Sequence, residues 1–346
     1  MNRWNVATAS VITLVFAVAA NLKQTSGERG QFEALIPIPP DFASTGLACE
    51  GGALVLFGHH SPLPSTRTDA KILRWTPGES AWESSYSKGG SRVSSWAVAL
   101  DGEMTALISS GDEGGDLLRS SDHGRTWNKI GEAPKDAFGV EFFDAVDGFA
   151  WGDDSGYATR EGGITWTARK IVGLFQRGSP WPVVDGADLL WVATRKIEGE
   201  HARFSLTLLD PTLSERGEIS TSDRVVRMIS SDSGLWLLVQ KGGYGTAMVS
   251  RLETSEGRRI VPVFELNNDL PLDLAVRDSQ IAVVLSDTDQ FTSSRYVLLG
   301  EGEQTVSEWK KLALGSDDSL QFVCLDPDGR LWAVGRKWLW RSVLKN

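Results

Sequence analysis

Apolar and polar positions follow one recurring unit along the chain. Each copy has a short apolar segment, a turn of two to four residues with Gly or Asp, and a second apolar segment that often carries Trp. The segments are too short for helices and rich in Val, Leu and Trp, so each copy predicts a β-hairpin. Seven copies occur, with turns at 51–52, 101–102, 147–148, 185–186, 233–234, 278–279 and 328–329.

The spacing of the hairpins predicts the architecture. Between residues 47 and 334 the seven copies recur with a period of roughly 40 to 50 residues, which is the length of a four-stranded propeller blade. No stretch with the helical period of about 3.6 residues follows residue 20. The sequence therefore predicts an all-β fold, a seven-bladed β-propeller of four-stranded antiparallel blades that forms a single domain over residues 30–346.

The last hairpin is not followed by an outer strand. After four of the other hairpins an outer strand is headed by an aromatic residue, namely Trp82, Trp127, Trp166 and Trp309. The segment 31–37, which precedes the first hairpin, resembles such a strand, with Phe32 in the place of Trp. The N-terminal strand is therefore predicted to complete the last blade and to close the ring, which removes exposed sheet edges.

The two cysteines lie in equivalent positions of the first and last hairpins. Cys49 and Cys324 each stand near the end of a first strand, ahead of the turn. In a closed ring these blades are neighbours, and in an oxidising compartment a disulfide would join them and contribute on the order of 4 kcal/mol by loop closure. The alternative is two buried free thiols, because innermost strands of adjacent blades could lie beyond the roughly 7 Å between Cα atoms that a disulfide spans.

The N-terminus has the pattern of an export signal. A single positive charge, Arg3, precedes an uncharged, mostly apolar run over residues 6–20 that contains Ala17-Val18-Ala19. Such a run, shorter than the roughly 20 residues of a spanning helix, is typical of a secretory signal peptide. We expect a signal peptide over residues 1–20, a short linker over 21–29, and a periplasmic or secreted protein. The alternative is that the N-terminal segment stays uncleaved. The sequence predicts membrane attachment only through this segment.

Composition narrows the class of protein. Hydrophobic residues at 41% and charged residues at 23% exclude a mostly disordered chain and a multi-span membrane protein. A net charge of -10 repels phosphate backbones, so no nucleic-acid partner is expected. The 36 Gly and 14 Trp, against 4 Tyr and 4 His, indicate many tight turns with large aromatic anchors.

A specific turn motif lies at residues 120–127. It reads S-x-D-x-G-x-T-W at every defined position, with Ser120, Asp122, Gly124, Thr126 and Trp127. The carboxylate can accept backbone N–H groups within a tight turn, the Gly can take a positive φ, and the Trp can bury between sheets. A degenerate copy follows with Glu in place of Asp, formed by Thr159, Glu161, Gly163, Thr165 and Trp166. An eroded third copy lies at 74–82.

These motifs resemble the Asp-box (BNR) repeats of the sialidase superfamily. The stretch 142–166 is similar to the photosystem II assembly and stability factor type of seven-bladed propeller. The resemblance rests on motifs over residues 90–170 and on architecture elsewhere, and the chain departs from the family in keeping one intact box. It implies that the Asp boxes stabilise turns away from the ligand face, and that the chain is a scaffold that grips a protein partner.

The enzyme alternative is a sialidase-like glycoside hydrolase. It would need an arginine cluster, a tyrosine nucleophile beside a glutamate, and an acid–base aspartate. The family's early F/Y-R-I-P segment is absent, since residues 35–40 contain no Arg, and four tyrosines do not single out a nucleophile. We therefore assign no catalytic residue.

No cofactor or metal ion is expected either. His59 and His60 would point to opposite faces of a strand, and no His or Cys pair has zinc spacing. Calcium could in principle bind acidic residues of two loops, although solvated acidic turns are favoured; these residues are Asp112, Glu113, Asp116, Asp153 and Asp154.

Loops that join the second and third strands of the blades should all open on one face. They are predicted at 58–70, 110–116, 152–156, 194–203, 240–246, 286–295 and 336–337. Loops on a rigid scaffold often carry function. The candidate binding rim comprises Asp112, Glu113, Asp116, Asp153, Asp154, Arg195, Lys196, Arg203, Tyr244 and Arg295.

The rim places acidic residues on the second and third blades and basic residues on the fourth. Such a split of charge suits a polypeptide partner, and the alternative is a set of ordinary polar loops. The sequence thus favours an exported, monomeric, non-catalytic scaffold that binds a protein in the same compartment. A second alternative beside the hydrolase is an inhibitor or immunity-type binding protein.

Overall fold

Seven antiparallel sheets of four strands each make up the described part of the chain, in which no helix occurs. The structure is a computed structural model that describes residues 32–62, 68–99, 102–110, 114–152, 155–170, 182–185, 189–198, 201–221, 223–231, 233–241, 246–253, 258–267, 269–287, 295–302, 309–314 and 318–343. The predicted signal peptide (1–20) and linker (21–29) lie outside these residues. Over the described ranges, no helix has the length and apolar character needed to span a membrane.

The strands follow one another blade by blade. After β1 (Phe32–Pro37), blade 1 contains β2 (Phe42–Glu50), β3 (Ala53–His60), β4 (Asp69–Trp75) and β5 (Glu83–Gly89). Blade 2 contains β6 (Arg92–Val98), β7 (Met104–Ser109), β8 (Gly115–Ser120) and β9 (Asn128–Ala133). Blade 3 contains β10 (Gly139–Phe142), β11 (Gly148–Trp151), β12 (Ser155–Thr159) and β13 (Thr167–Lys170).

The remaining blades continue this order. Blade 4 contains β14 (Val183–Val184), β15 (Leu190–Glu198), β16 (His201–Leu209) and β17 (Glu215–Thr221). Blade 5 contains β18 (Arg224–Ser231), β19 (Gly234–Gln240), β20 (Thr246–Glu253) and β21 (Arg259–Asn267). Blade 6 contains β22 (Asp269–Arg277), β23 (Gln280–Asp287), β24 (Arg295–Glu301) and β25 (Lys310–Ala313), and blade 7 contains β26 (Phe322–Leu325), β27 (Leu331–Val334) and β28 (Trp338–Ser342).

The blades form a ring around a central axis. The first strands contact one another in the cyclic order β2, β6, β10, β14, β18, β22 and β26, and β26 contacts β2. They are therefore the innermost strands, and each uses only one edge for pairing within its sheet. This arrangement confirms the predicted seven-bladed propeller.

The two faces of the ring differ in the connections they carry. The loops between second and third strands open where the innermost strands begin, and we call this side the rim face. The hairpin turns and the turns between third and fourth strands open on the opposite side, the turn face. A ligand site and a turn-stabilising motif can therefore occupy separate faces.

The N-terminal strand closes the ring, as predicted. Strand β1 pairs antiparallel with β28, from Phe32 opposite Ser342 to Pro37 opposite Trp338. It is the outer strand of blade 7, which the C-terminal part of the chain leaves incomplete. The last blade is thus assembled from both ends of the sequence.

A disulfide joins blades 7 and 1 at the same seam. Cys49 of β2 and Cys324 of β26 are bonded, with their Cα atoms 5.9 Å apart. Both side chains are buried, and beside them the rings of Trp75 and Trp332 meet edge to face with centroids 5.6 Å apart. The innermost strands of these neighbouring blades lie near enough for a bond, so the alternative of two free thiols does not hold.

The core consists of layers between adjacent blades. Trp151, Trp191 and Trp332 are among the largest fully buried side chains, and each lies in a cluster shared by two neighbouring sheets. Burial of an aromatic side chain contributes about 1.5–3 kcal/mol or more. These interblade positions account for part of the high Trp content.

Removing the disulfide tests how much the seam contributes. With Cys49→Ser and Cys324→Ser together, we expect the free energy of unfolding to fall by roughly 2–5 kcal/mol, because a cross-link over 275 residues no longer restricts the unfolded chain. The propeller should still form, because β1 still pairs with β28. Guanidinium unfolding followed by tryptophan fluorescence measures the change. Equal midpoints for the variant and the oxidised wild type would contradict this expectation.

Candidate functional site

Four innermost strands carry a β-bulge towards the rim face. The register shifts lie between Ser44 and Gly46, Val93 and Ser95, Val225 and Arg227, and Pro271 and Asp273. A bulge bends the strand and re-aims the residue that follows it. The Ser95 hydroxyl accepts a hydrogen bond from the Val140 N–H of blade 3 at 3.2 Å. The Asp273 carboxylate likewise accepts one from the Val323 N–H of blade 7 at 3.0 Å. Residues after the bulges thus join neighbouring strands around the axis.

Arg227 spans the axis of the ring. It belongs to blade 5, and its guanidinium lies 5.9 Å from the ring centroid of Trp96 in blade 2. These blades are three positions apart, which is as far as a ring of seven permits. Its Nε also lies 3.4 Å from Asp273 Oδ1 in blade 6. Trp96 is held by Phe57, on which its ring stacks at 4.8 Å, and by Gly46, where any Cβ would lie 1.9 Å from the indole nitrogen.

Two carboxyl groups share the positive charge of Arg227. Burial raises the pKa of Glu141, on the innermost strand of blade 3, to about 8, although Arg227 acts to lower it. Burial also raises the pKa of Asp273, against the lowering effect of Arg227 and of the Val323 N–H. At neutral pH Glu141 therefore holds its proton for most of the time.

A second ion pair lies nearer the turn face. Arg277, at the end of β22, pairs with Glu50, at the end of β2, at 3.1 Å. The same guanidinium donates a hydrogen bond to the Leu325 carbonyl of blade 7 at 3.1 Å. One arginine thus links blades 6, 7 and 1 beside the disulfide.

Sequence reasoning missed the axial residues, although a signal was present. Arg227, Asp273 and Glu141 each interrupt an apolar first segment of a hairpin. A charged residue in such a segment must find compensation inside the fold or face the channel. The pattern could have identified these three positions, but not the ion pair between Arg227 and Asp273.

On the rim face, Asp318 organises the loop of blade 7. Its buried carboxylate accepts hydrogen bonds from the backbone N–H groups of Arg336, Lys337 and Trp338 at 2.8 to 3.1 Å. It also accepts one from the Trp340 indole N–H at 2.9 Å. The Ser319 N–H donates a further hydrogen bond to it at 2.9 Å. Several donors on one carboxylate thus fix the backbone of this loop.

Arg336, Lys337 and Trp338 of this loop form a basic and aromatic surface with Arg295, at the start of β24 in blade 6. We call these four residues the rim patch. Arg336 and Lys337 are exposed, and Trp338 is 36% exposed. Arg295 is half-buried and donates a hydrogen bond to the Leu320 carbonyl at 2.6 Å. Burial, with the neighbouring Arg336 charge, lowers the pKa of Arg295. The patch is thus a concentration of positive charge on an acidic protein.

The predicted loop at 194–203 is wrong. Strands β15 and β16 extend as a hairpin in which Lys196 lies opposite Arg203, and only residues 199–200 separate them. Arg195 and Lys196 therefore stand on a strand rather than on a loop, and Arg203 is exposed on the partner strand. The two strands pair along their whole length, because residues opposite each other continue to satisfy each other's backbone N–H and C=O groups.

Asp116, one of the predicted rim residues, is paired with two lysines. It lies within β8 and pairs with Lys88 of blade 1 at 2.6 Å and with Lys129 of its own blade at 2.8 Å. Burial alone would raise its pKa, but hydrogen bonds from Lys129 and Lys88 lower it. Its charge is neutralised within the fold. The other predicted rim residues, Asp112, Glu113, Asp153, Asp154 and Tyr244, lie outside the described residues.

The intact Asp box forms the turn between β8 and β9, on the turn face. Asp122 accepts hydrogen bonds from the Thr126 N–H at 2.8 Å, the Thr126 hydroxyl at 2.6 Å and the Ser120 hydroxyl at 2.9 Å. Burial acts to raise the pKa of Asp122, but these donors outweigh it and hold the pKa at about 2. Gly124 takes φ 76°, and Trp127 packs edge to face on Phe57 at 6.0 Å. These contacts are structural.

The degenerate box keeps only part of this network. The Thr159 hydroxyl accepts the Gly163 N–H at 3.0 Å, as Ser120 does in the intact box. Glu161 accepts a hydrogen bond from the Thr165 hydroxyl at 2.7 Å. Trp166 packs edge to face on Phe142 with centroids 6.4 Å apart. The longer side chain of Glu161 thus keeps the contact with the Thr hydroxyl that Asp122 makes in the intact box.

The described tyrosines lie on outer and third strands. Tyr86 lies on an outer strand, and Tyr157 and Tyr296 lie on third strands. Tyr157 donates a short hydrogen bond to Asp136, and Tyr296 donates one to Asp269 at 2.6 Å. None of these three hydroxyls adjoins Arg227. Over the ranges described, no group of three His, Cys, Asp or Glu side chains is placed to hold a metal ion.

Solved propellers match this fold at low sequence identity. No protein-family model matches the chain, and no curated protein matches its sequence. A structure of YCF48 bound to a D1 peptide is similar with a TM-score of 0.60 and 16% identity, over 92% of this chain and 99% of that one. Streptogramin B lyase is similar with a TM-score of 0.63 and 13% identity, over 92% of this chain and 100% of that one.

A third similar structure is the β-propeller domain of the Trilobed protease from Pyrococcus furiosus. It has a TM-score of 0.58 and 9% identity, over 89% of this chain and 95% of that domain. At these identities the similarities establish the propeller fold. The assignment to Asp-box repeats of the sialidase superfamily remains a resemblance carried by the two boxes.

The two Asp boxes make a matched pair for a stability test. Asp122→Asn should lower the free energy of unfolding at pH 7 by about 1–2 kcal/mol, because charge-assisted hydrogen bonds in the turn are weakened. Glu161→Gln should cost less, because its carboxylate accepts a hydrogen bond from one hydroxyl rather than two hydroxyls and a backbone N–H. Denaturant unfolding of both variants measures the difference.

The Asp122 carboxylate also predicts how the stability of the protein depends on pH. The pKa of Asp122 is about 2 in the fold and about 3.9 when unfolded, so its stabilisation is complete above pH 4 and disappears as the pH falls towards 2. Asp122→Asn should flatten the stability profile in this window. A profile identical to that of the wild type would contradict the role given to this carboxylate.

Proposed function

We propose that the chain is an exported, monomeric, non-catalytic scaffold that binds a polypeptide partner on its rim face. The observation that carries the proposal is the rim patch, in which an exposed Trp and basic side chains stand on a loop clamped by one buried carboxylate. Trp and Arg are the side chains that most often dominate protein interfaces. The partner segment should be acidic or should end in a free carboxylate.

Rigidity of the loop supports this proposal. Asp318 fixes the backbone of Arg336, Lys337 and Trp338 before any partner arrives. Less conformational entropy is then lost on binding, so more of the contact energy appears as affinity. Beside the patch, the exposed Pro37 pairs with Trp338 in the ring-closing ladder and widens the apolar part of the surface.

The similar structures are compatible with this choice without deciding it. The fold is that of a YCF48 structure that holds a D1 peptide, and also that of a lyase. The hydrolase alternative depends on a tyrosine beside clustered arginines at the axis, and the tyrosines of the described ranges lie on outer and third strands. The site therefore favours binding over hydrolysis.

Export is part of the proposal. The pattern of residues 1–20 is that of a secretory signal, and the disulfide between Cys49 and Cys324 suits an oxidising compartment. The partner is then a protein of the periplasm or of the extracellular space.

A pair of charge-matched variants tests the rim patch. The rim variant carries Arg336→Glu, Lys337→Glu and Trp338→Ala. The control carries Arg125→Glu, Arg160→Glu and Ile164→Ala on the turn face, where Ile164 is 70% exposed. Both variants change the net charge equally. We expect the wild type and the control to retain a specific protein from the host's envelope fraction, and the rim variant to bind that protein at least tenfold more weakly.

The affinity for the isolated partner is then measured by calorimetry. Equal affinity of the rim variant and the wild type would contradict the proposal. A third variant, with Arg195→Glu, Lys196→Glu and Arg203→Glu, tests whether the hairpin of blade 4 contributes to the same interface.

A further inference from the structure

Two arginines of the rim patch, Arg295 and Arg336, are near each other without a carboxylate to pair with. Arg295 donates a hydrogen bond from Nη1 to the Leu320 carbonyl at 2.6 Å, and its Nε–H is enclosed without an acceptor. Burial lowers the pKa of Arg295, and the charge that acts on it, that of Arg336, has the same sign. Over the described ranges, neither guanidinium forms an ion pair with an acid.

Arginines elsewhere on the chain are paired with acids. Arg277 pairs with Glu50 at 3.1 Å, and Arg341 pairs with Glu33 at 2.7 Å. Like charges that lie close together repel each other, and burial strengthens the repulsion because the local dielectric constant is low. A bound anion would relieve this repulsion at Arg295 and Arg336.

The acid that holds the rim loop does not neutralise these two arginines, because its oxygens are already occupied. Asp318 is 8% exposed, and a Cβ at Gly335 would lie 2.2 Å from its Oδ2, so the loop packs tightly on it. Its carboxylate accepts hydrogen bonds at 2.8 to 3.1 Å from the backbone N–H groups of Ser319, Arg336, Lys337 and Trp338 and from the indole N–H of Trp340.

The two arginines are anchored on one short segment between blades 6 and 7. Arg295 is tied to this segment through the Leu320 carbonyl, and the backbone N–H of Arg336 is tied to it through Asp318. Trp338 follows two residues after Arg336 and is 36% exposed. The positions from which both guanidinium groups extend are therefore fixed before a ligand arrives, which lowers the entropy lost on binding.

We propose that Arg295 and Arg336 form a carboxylate-binding subsite of the rim patch, and that Trp338 beside it contacts an apolar side chain of the ligand. This inference rests on the proposed function, because it names the group that the polypeptide partner presents to the rim patch. A planar carboxylate suits guanidinium groups, since each of them offers parallel N–H donors. The carboxylate belongs to an Asp or Glu side chain of the partner or to its C-terminus.

A lipid surface fits this patch less well. The exposed large apolar side chains of the described residues are Val146, Ile164, Trp338 and Val343. Val146 and Ile164 lie in turns on the turn face, and Val343 follows the end of β28 that points away from the rim. Trp338 is therefore the one such side chain that the described residues place on the rim face. Docking to a bilayer needs a larger buried apolar area than one side chain provides.

Nuclear magnetic resonance titration of the mature protein with short peptides tests the subsite. The probes are acetyl-Phe-Asp-amide, acetyl-Phe-Asn-amide and acetyl-Phe-Gly with a free C-terminal carboxylate. We expect at least one carboxylate probe to shift the Nε–H signal of Arg295 and the indole N–H signal of Trp338. It should bind at least about fivefold more tightly than the Asn probe, because charge-assisted hydrogen bonds are lost with the amide.

The two carboxylate probes distinguish the sources of the ligand. Binding of the Asp probe alone assigns the subsite to an acidic side chain, and binding of the free carboxylate alone assigns it to a C-terminus. Binding of neither probe, or equal affinity for the Asp and Asn probes together with no binding of the free carboxylate, overturns the proposal.

A double-mutant cycle connects the carboxylate to the arginines. In Arg336→Gln and in Arg295→Gln, the preference for the carboxylate probe that binds over the Asn probe should fall to about one. Arg160→Gln, which removes the same charge from an exposed position on the turn face, should keep the wild-type preference. Arg336 is exposed, so its variant should fold even if loss of the hydrogen bond to Leu320 destabilises Arg295→Gln. An unchanged preference in Arg336→Gln overturns the proposal.

The outcomes separate the subsite from the proposed function. If the rim variant loses its envelope partner while Arg336→Gln keeps the carboxylate preference, the scaffold proposal stands and the subsite does not. If Arg336→Gln loses the preference while the rim variant retains the partner, the subsite stands and the partner binds elsewhere. Retention of the protein on phosphatidylglycerol vesicles without binding of any carboxylate probe would identify a lipid headgroup and overturn the proposal.

Discussion

Closure of the ring is the constraint on which the rest of this structure depends. Strand β1 completes blade 7 by pairing with β28, and the disulfide between Cys49 and Cys324 joins the same two blades on their innermost strands. A single blade has no core of its own, because it buries its apolar faces against the neighbouring blades. Closure therefore gives blades 1 and 7 the neighbours that every other blade has, and it uses residues from both ends of the described chain.

A closed ring also creates the environment of the axis. Arg227 can lie near Trp96, three blades away, only because all seven innermost strands face one channel. Within this enclosure a charge loses much of its hydration, so burial raises the pKa of both Glu141 and Asp273 although Arg227 is near. An acid that would be ordinary on a surface thus becomes a group poised near physiological pH.

The turn face of the ring carries a turn-stabilising motif, and the rim face carries the proposed binding surface. On the turn face, the Asp122 carboxylate accepts hydrogen bonds from donors of its own turn, and Trp127 packs on Phe57 of the neighbouring blade. On the rim face, Asp318 also accepts hydrogen bonds from its loop, but this loop presents Arg336, Lys337 and Trp338 to solvent. The same chemistry, a carboxylate that accepts several hydrogen bonds, therefore closes a turn in one place and holds the proposed binding surface in the other.

The sequence by itself determined the number of blades, the order of their strands, the closing strand and the structural role of the Asp box, because these follow from local periodicity and turn chemistry. Equivalent positions in the first and last repeats also indicated a bond between Cys49 and Cys324, but whether the strands approach closely enough was a question of geometry. Only the tertiary structure decided that Asp116 pairs with Lys88 and that Arg227 pairs with Asp273 and lies near Trp96. These contacts join residues of different blades, and no local pattern encodes the direction in which a side chain points across a ring.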